Sequence, residues 1–345
     1  MTYKENTIME AELCNSKEAA DDYFIECIMN GWRGFGILVE DISLLHSMEE
    51  YIRLCPGVID IDVERLVKFH NGIWLEFDTI TCKEDVEYIY AIKTGDTSYL
   101  NSTELQVYLK LLAIMAELKL EEKSDIEKIM AVHDYLVLNT AYDVEAAAAY
   151  YAGSLEYDLD SHFVEGTILN RKAVCSGYAY TFALFMNTYD IPCEYVSNDT
   201  HGWNLVKVED SWYHIDITWD DPVPDRPGNV IYTHFMMTDE EIRKLESHES
   251  WSCECETYRH DCKDSSYRIY PYSEYLCETE EEAEALIQAQ ENKGKILFVY
   301  PAEGALTEEI LLNKATARYG NIIYYPSKRI GDSHLVLEIV LEHGQ

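Results

Sequence analysis

Positive charge is what this chain has least of. Its 27 Lys and Arg stand against 64 Asp and Glu, a formal net charge of −37 over 345 residues. Such a surface repels a phosphate backbone, so neither nucleic acid nor anionic membrane is expected as a partner. The plain reading of the charge is solubility, and it says little about fold. No apolar run reaches the length of a membrane-crossing helix. The first twenty residues hold no basic stretch followed by an apolar one, so no signal peptide is read and a cytoplasmic protein is expected. Gly-rich phosphate loop, HExxH pair and Rossmann fingerprint are all missing, and with them any motif for a cofactor.

What is present can build a large core. Hydrophobic residues make up 47% and aromatics 12%, which argues against disorder. The length points to two or three units. Ten cysteines would permit a disulfide framework, but export signals are missing and the chain is not small. They are read as mostly reduced and structural.

Periodicity suggests three regions: an N-terminal α+β module (1–95), a central domain (96–278) and a C-terminal α+β module (279–345). The first reads helix (17–30), strand (35–39), helix (43–54) and two strands (58–62, 73–77) broken by Asn71-Gly72. From residue 104 the period becomes helical. Leu105, Leu109, Leu112 and Met115 share one face, Ile126, Ile129, Met130, His133 and Leu136 another, with Ser102 and Ser124 as N-caps. The tail repeats the opening: helix (281–292), strand (296–300), helix (306–319) and two strands (322–325, 335–341). "IWLEFDT" and "LVLEIVL" lie about 260 residues apart, as a duplicated αβαββ module would place them. Either the module is duplicated or two short α/β segments merely align. The stretch 251–275 shows little periodicity and is read as a linker or irregular cover.

Three residues of the central domain form a chemical constellation. In "AVCSGYAYTFALFM", Tyr178, Phe182, Phe185 and Met186 recur at helical spacing, so Cys175 occupies the first turn. There the unsatisfied N–H groups and the positive end of the dipole favour an anion. A thiol so placed is activated towards thiolate, the attacking form. Ser176 and Gly177 are small and would leave room for a substrate, and a backbone N–H could stabilise an oxyanion. "DTHGWNLVKVEDSWYHIDITWDDP" alternates as a β-hairpin, with His201 just before its first strand and Asp216 within its second. Register puts Asp216 near Trp203 and Asn204, within reach of His201. A carboxylate in a buried strand needs such a partner. A thiol, an imidazole that takes its proton and a carboxylate that fixes the imidazole tautomer make a nucleophilic triad. Taken singly, each residue is as readily structural, as a buried inert cysteine or a core histidine.

"GTILNRKAVCSGYAYTFALFMNTYDIPCEYVS", "HGWNLVKVEDSWYHIDITWDDP", "IMAVHDYLVLNTAYD" and "YTHFMMTDEEIRKLESHESW" together resemble the transglutaminase-like superfamily, in its bacterial transglutaminase/protease-type branch. The resemblance covers about residues 126–255. It implies a papain-like α+β core, a helix bearing the cysteine packed on an antiparallel sheet. Cys175 is then the nucleophile, His201 the general base and Asp216 the orienting acid. It also implies acyl transfer on a protein or peptide substrate, through a thioester that water or an amine resolves. Hydrolysis is the leaning, since excluding water requires a closed tunnel. Relatives of this branch are often exported. The flanking modules are not part of the resemblance.

Around the triad, Trp203 and Trp219 either wall a cleft or pack the hairpin. Tyr178 either meets a substrate or lines the core, and Asn204 either supports the site or faces solvent. Cys253, Cys255, Cys262, Cys277, His248 and His260 suggest a metal cluster, but no compact CxxC pair is among them and no metal is expected. His133 is read as packing. The alternative function is a binding or scaffold protein whose transglutaminase-like domain is catalytically idle. The sequence does not set the oligomeric state.

Overall fold

The computed structural model describes residues 13–153, 159–224, 228–253, 260–290, 294–331 and 333–341. The protein is mixed α+β, and its contacts divide it into two units, residues 1–195 with 223–228 and residues 196–222 with 229–345. No helix among the described residues is long and apolar enough to cross a membrane.

The first unit opens with a sheet in the order β1-β2-β4-β3, formed by β1 (Leu13–Cys14), β2 (Phe35–Val39), β3 (Val58–Phe69) and β4 (Gly72–Cys82). Helix α1 (Lys17–Met29) starts at Ser16, whose hydroxyl accepts the Ala19 N–H at 3.1 Å. It buries Phe24, which stacks on Tyr51 of α2 (Met48–Leu54) at 4.2 Å. The single helix expected over 43–54 is instead a 3-10 turn (Ile42–Leu44) followed by α2. The break comes from Ser47, whose capping box with Glu50 starts a new helix. The strands expected at 58–62 and 73–77 are parts of a longer hairpin, in which the first strand runs on through 63–69 and the second through 78–82. The added stretch 63–69 mixes Val63, Leu66, Val67 and Phe69 with Glu64, Arg65 and Lys68 and is largely exposed, Arg65 pairing with Glu76 at 2.8 Å, so it lacks the strict alternation that marks a half-buried strand.

A helical layer follows: α3 (Val86–Thr94), α4 (Ser102–Glu117), α5 (Asp125–Asn139) and α6 (Val144–Tyr151). Helix α4 is capped by Asn101 rather than Ser102, because the Asn101 carboxamide accepts from Thr103 and Glu104 while Glu104 closes the box. Its buried face is Val107, Leu111, Ile114 and Met115. The expected Leu105–Leu109–Leu112 stripe lies exposed. Leucines spaced along four turns mark two adjoining faces, and only packing chooses between them. Ser124 caps α5 as expected, and His133 is buried on it.

Two short strands, β5 (Ala141–Tyr142) and β6 (Lys172–Ala173), pair in parallel just before α7 (Cys175–Thr188). Helix α7 is apolar nearly all round, as a helix covered on several sides must be, and it packs on α3 and α5.

The second unit is entered along β7 (Cys193–Ser197), which takes part in a sheet ordered β10-β7-β8-β9 with β8 (Gly202–Val208), β9 (Ser211–Ile215) and β10 (Ser252–Cys253). Trp203, Leu205 and Val196 pack with Met237, Ile242 and Cys262, and the short helices α8 (Ile217–Asp220) and α9 (Asp239–Ile242) follow the hairpin in the chain. The stretch expected to be irregular holds β10 and a 3-10 segment (Ser266–Tyr275).

The tail runs α10 (Glu280–Ala289), β11 (Lys295–Pro301), α11 (Glu308–Tyr319), β12 (Ile322–Ile330) and β13 (His334–Leu341). Both helices start one or two residues from their expected places, set by Thr279 and Thr307 as N-caps. Its antiparallel sheet has the order β11-β13-β12. The opening segment has the same element order and the corresponding sheet order, β2-β4-β3, with the last strand in the middle.

Candidate active site

Cys175 is the first residue of α7, and the chain is pinned on its way there. The Ala141 N–H donates to the Arg171 carbonyl at 3.0 Å, and the Asp143 N–H to Ala173 at 2.9 Å. The Val174 N–H donates to the Ser161 carbonyl at 2.8 Å. The Ser161 hydroxyl donates to Asp143 at 2.7 Å, and Asp143 also accepts the Ala146 N–H at the start of α6. A Cβ on Gly177 would stand 2.5 Å from the Ser161 carbonyl oxygen and 3.0 Å from the Ala173 Cβ. The glycine therefore serves close backbone approach rather than room for a substrate. Val174, the residue before the helix, offers no side-chain acceptor, so no cap masks the positive end of the dipole at Cys175.

The Cys175 thiol is half-buried. Beside it in the same unit, the Ser176 hydroxyl donates to the His162 carbonyl at 3.1 Å and lies 3.3 Å from Nδ1 of that imidazole. Burial lowers the basicity of His162, opposed by the Asp143 charge. Tyr150 and Tyr151 are exposed. Partial burial and then the neighbouring Cys175 and Tyr150 raise the Tyr151 phenol, which places that tyrosine near the thiol. Tyr178, by contrast, is buried within the helical layer. Burial pushes Cys82 and Cys277 up to about 11, and Cys27 and Cys55 up to about 12. Burial raises Cys193 further still.

The second unit carries the imidazole and carboxylate. Asn198 sets the turn into β8, its side-chain oxygen accepting the Thr200 and His201 N–H groups at 3.0 Å each. His201 Nε2 lies 2.6 Å from Asp216 Oδ2. Asn204 pairs with Ile215 across the hairpin, so Asp216 comes opposite Trp203, as the register expectation had it. Asp216 itself lies one residue beyond β9 rather than within it. Its Oδ1 accepts the Trp219 N–H at 3.2 Å and caps α8, turning the chain out of the sheet. Burial alone would push the Asp216 carboxyl up. The His201 charge and the hydrogen bonds from His201 and His248 outweigh it and hold the group far below the usual carboxylate range.

Trp203 is buried with its ring stacked on His201 at 5.6 Å, and its indole N–H donates to His214. Trp219 is the exposed member of the pair, edge-on to His201 at 6.3 Å. Asn204 is buried in the sheet. Of the residues weighed as metal ligands, Cys255 and the side chain of Cys253 lie outside the described residues. His260 stacks on Trp212 at 3.8 Å, Cys277 lies in the core of the C-terminal module, and His248 bonds Asp216 at 2.8 Å. That last contact was missed in the sequence, where His248 counted only among metal ligands. A second pair near the site was missed too: Asp220 accepts from the His234 backbone at 2.8 Å and approaches its ring at 3.2 Å. The segment bearing His234 and His248 belongs to the resembling stretch, the one signal that pointed there.

Two sets of side chains gather ligand-type atoms among the described residues, His201–Asp216–His248 and His214–Asp239–Cys262. Ligand atoms about 2.1 Å from a tetrahedral zinc stand about 3.4 Å apart. The spacings of 2.6, 2.8 and 2.9 Å between imidazole and carboxylate are shorter and are those of hydrogen bonds.

Residues 113–217 match the family model described as the transglutaminase-like superfamily, so this stretch of the chain is similar to that superfamily. Kyphoscoliosis peptidase of Mus musculus is 24% identical over 170 residues, which cover 43% of this chain and 25% of that protein. The match thus spans a quarter of the relative's length. A crystal structure of a TGase is 15% identical, with 81% of this chain and 76% of that chain covered and a TM-score of 0.33. A chain from Cytophaga hutchinsonii described as a cysteine protease is 13% identical, with 49% and 68% covered and a TM-score of 0.26.

Proposed function

We propose that the protein is a cysteine-nucleophile acyl-transfer enzyme acting on peptide or glutamine-type amides. Cys175 is the nucleophile, His201 the general base and Asp216 the orienting carboxylate. The observation that carries this reading is the 2.6 Å bond from His201 Nε2 to a buried, ionised Asp216. With its proton on Nε2, the neutral imidazole has its basic lone pair on Nδ1. That nitrogen takes the thiol proton, and the carboxylate stabilises the imidazolium that results.

The thiolate sulfur attacks the amide carbonyl carbon, and the carbonyl electrons move onto oxygen. The imidazolium then returns its proton to the leaving nitrogen as the C–N bond breaks, which leaves a thioester and a free amine. Water resolves the thioester, giving up a proton to the imidazole. The half-buried thiol and the exposed Tyr150 and Tyr151 near it leave water a path, which supports hydrolysis over cross-linking. The substrate is then a protein or peptide, and the modules at 1–95 and 279–345 flank the catalytic domain.

The test is the pH dependence of iodoacetamide alkylation at each cysteine, read by peptide mass spectrometry on wild type and His201→Ala. Fast reaction at Cys175 below about pH 8.5, lost in the variant, supports the reading. Reaction no faster than an ordinary exposed thiol overturns it in favour of an idle domain used for binding. A glutamine peptide offered with a fluorescent primary amine then separates hydrolysis from cross-linking.

A further inference from the structure

His248 is wholly buried, and both of its ring nitrogens meet oxygen. Nδ1 lies 2.7 Å from the Glu246 backbone carbonyl, and Nε2 lies 2.8 Å from Asp216 Oδ2. A carbonyl oxygen can only accept, so Nδ1 carries a proton. Asp216 Oδ2 also receives His201 Nε2 at 2.6 Å, while Oδ1 receives the Trp219 N–H. Without counting His248, the Trp219 N–H on Oδ1 and His201 Nε2 on Oδ2 hold this carboxyl group in its charged form, and a carboxylate is itself only an acceptor. The Nε2 atom of His248 must therefore carry a proton as well. The remaining surroundings are the rings of His201 at 5.1 Å, His234 at 5.3 Å, Trp203 at 4.8 Å and Trp219 at 5.7 Å. Of the ionisable groups nearby, His234 is engaged with Asp220 and His214 with Asp239. Among the described residues, Asp216 is thus the carboxylate bonded to His248.

We infer that His248 is a doubly protonated imidazole sharing the Asp216 carboxylate with His201, and so a positioning residue for the proposed reaction. This rests on the reading of His201 as the base only for its catalytic meaning; the protonation state stands on the geometry alone. Two consequences follow. Asp216 Oδ2 is held by a second imidazole besides His201, which helps fix the carboxylate that orients the base. The buried positive charge also offsets part of the Asp216 charge, so the His201 imidazolium is less stabilised than beside an unshared carboxylate. His201 then gives up its proton more readily.

The experiment is a pH titration of the full chain labelled with 15N-histidine, followed by NMR, in wild type, His248→Gln and His248→Phe. In wild type both His248 nitrogens should resonate as an imidazolium at pH 7.5. In His248→Gln, which keeps a donor but loses the charge, the His201 midpoint should rise by on the order of one pH unit. A neutral His248 tautomer at pH 7.5, or an unmoved His201 midpoint in the glutamine variant, overturns the inference. The wild-type spectrum decides the protonation state even where a variant does not fold. Failure of Cys175 to alkylate rapidly would sink the catalytic reading while leaving this result standing.

Discussion

The Trp203 indole N–H donates to Nδ1 of His214 across 3.0 Å of buried space. An indole nitrogen can only donate, so the His214 proton sits on Nε2, where it bonds Asp239 at 2.9 Å. Trp203→Phe strands a buried imidazole acceptor and should cost about 1–3 kcal/mol in urea unfolding.

Acid should strain the same pair. Burial lowers the His214 basicity, more than the Asp239 hydrogen bond raises it. A histidine whose folded value lies below its unfolded value of about 6.5 contributes fully above that pH, and the contribution falls as acid protonates the unfolded chain. His214→Gln, whose amide oxygen can still accept from Trp203, should therefore show a shallower loss of stability between about pH 6.5 and 5 than wild type.

Gly177→Ala should disturb the start of α7. The added methyl must push the Ser161 carbonyl away from 2.5 Å, and that carbonyl already accepts the Val174 N–H. Overpacking of this kind costs about 1–3 kcal/mol. Circular dichroism melts check the stability, and iodoacetamide labelling of Cys175 checks the thiol; we expect both to change.

Asp216→Asn removes the charge that two imidazoles share. Breaking a buried ion pair from one side costs about 3–5 kcal/mol. The folded-state carboxyl is depressed, so its contribution is full above the unfolded value of about 4 and is lost as the pH falls below it. The gap between variant and wild type in unfolding free energy should be wide at pH 7 and narrow in acid below about pH 4.

Chelation should do nothing. The imidazole–carboxylate spacings of 2.6, 2.8 and 2.9 Å are occupied by protons, so EDTA should leave the melting temperature and the metal-free mass unchanged. A fall in melting temperature on chelation would mean that those spacings are wrong.

Much of the local structure was legible because it depends on nearest neighbours. Ser124 announces its helix by capping chemistry, and the apolar recurrence after Cys175 marks α7 because a buried helix needs it. The alternation around Glu209–Ser211 marks the hairpin that puts Asp216 opposite Trp203. Signals weakened where packing chose between equal options. The leucine stripe of α4 and the buried face beside it carry similar periodicity, and only the neighbouring helices decide which is covered. Residues 63–69 of β3 mix exposed apolar and charged side chains without strict alternation, and they look like loop until pairing with β4 satisfies their backbone.

By itself, the sequence determined the kind of elements, the acidic surface, and the residue types from which a thiol, an imidazole and a carboxylate could be drawn. The His201–Asp216 pairing was readable in it because a hairpin brings its two strands together over a short loop. The tertiary structure alone decided that Gly177 is a packing glycine, that Asp216 caps a turn, and that His248 reaches the same carboxylate from a distant segment. Hydrogen bonds between segments far apart in the chain leave no periodicity behind, since they are set by where the folded core carries each side chain.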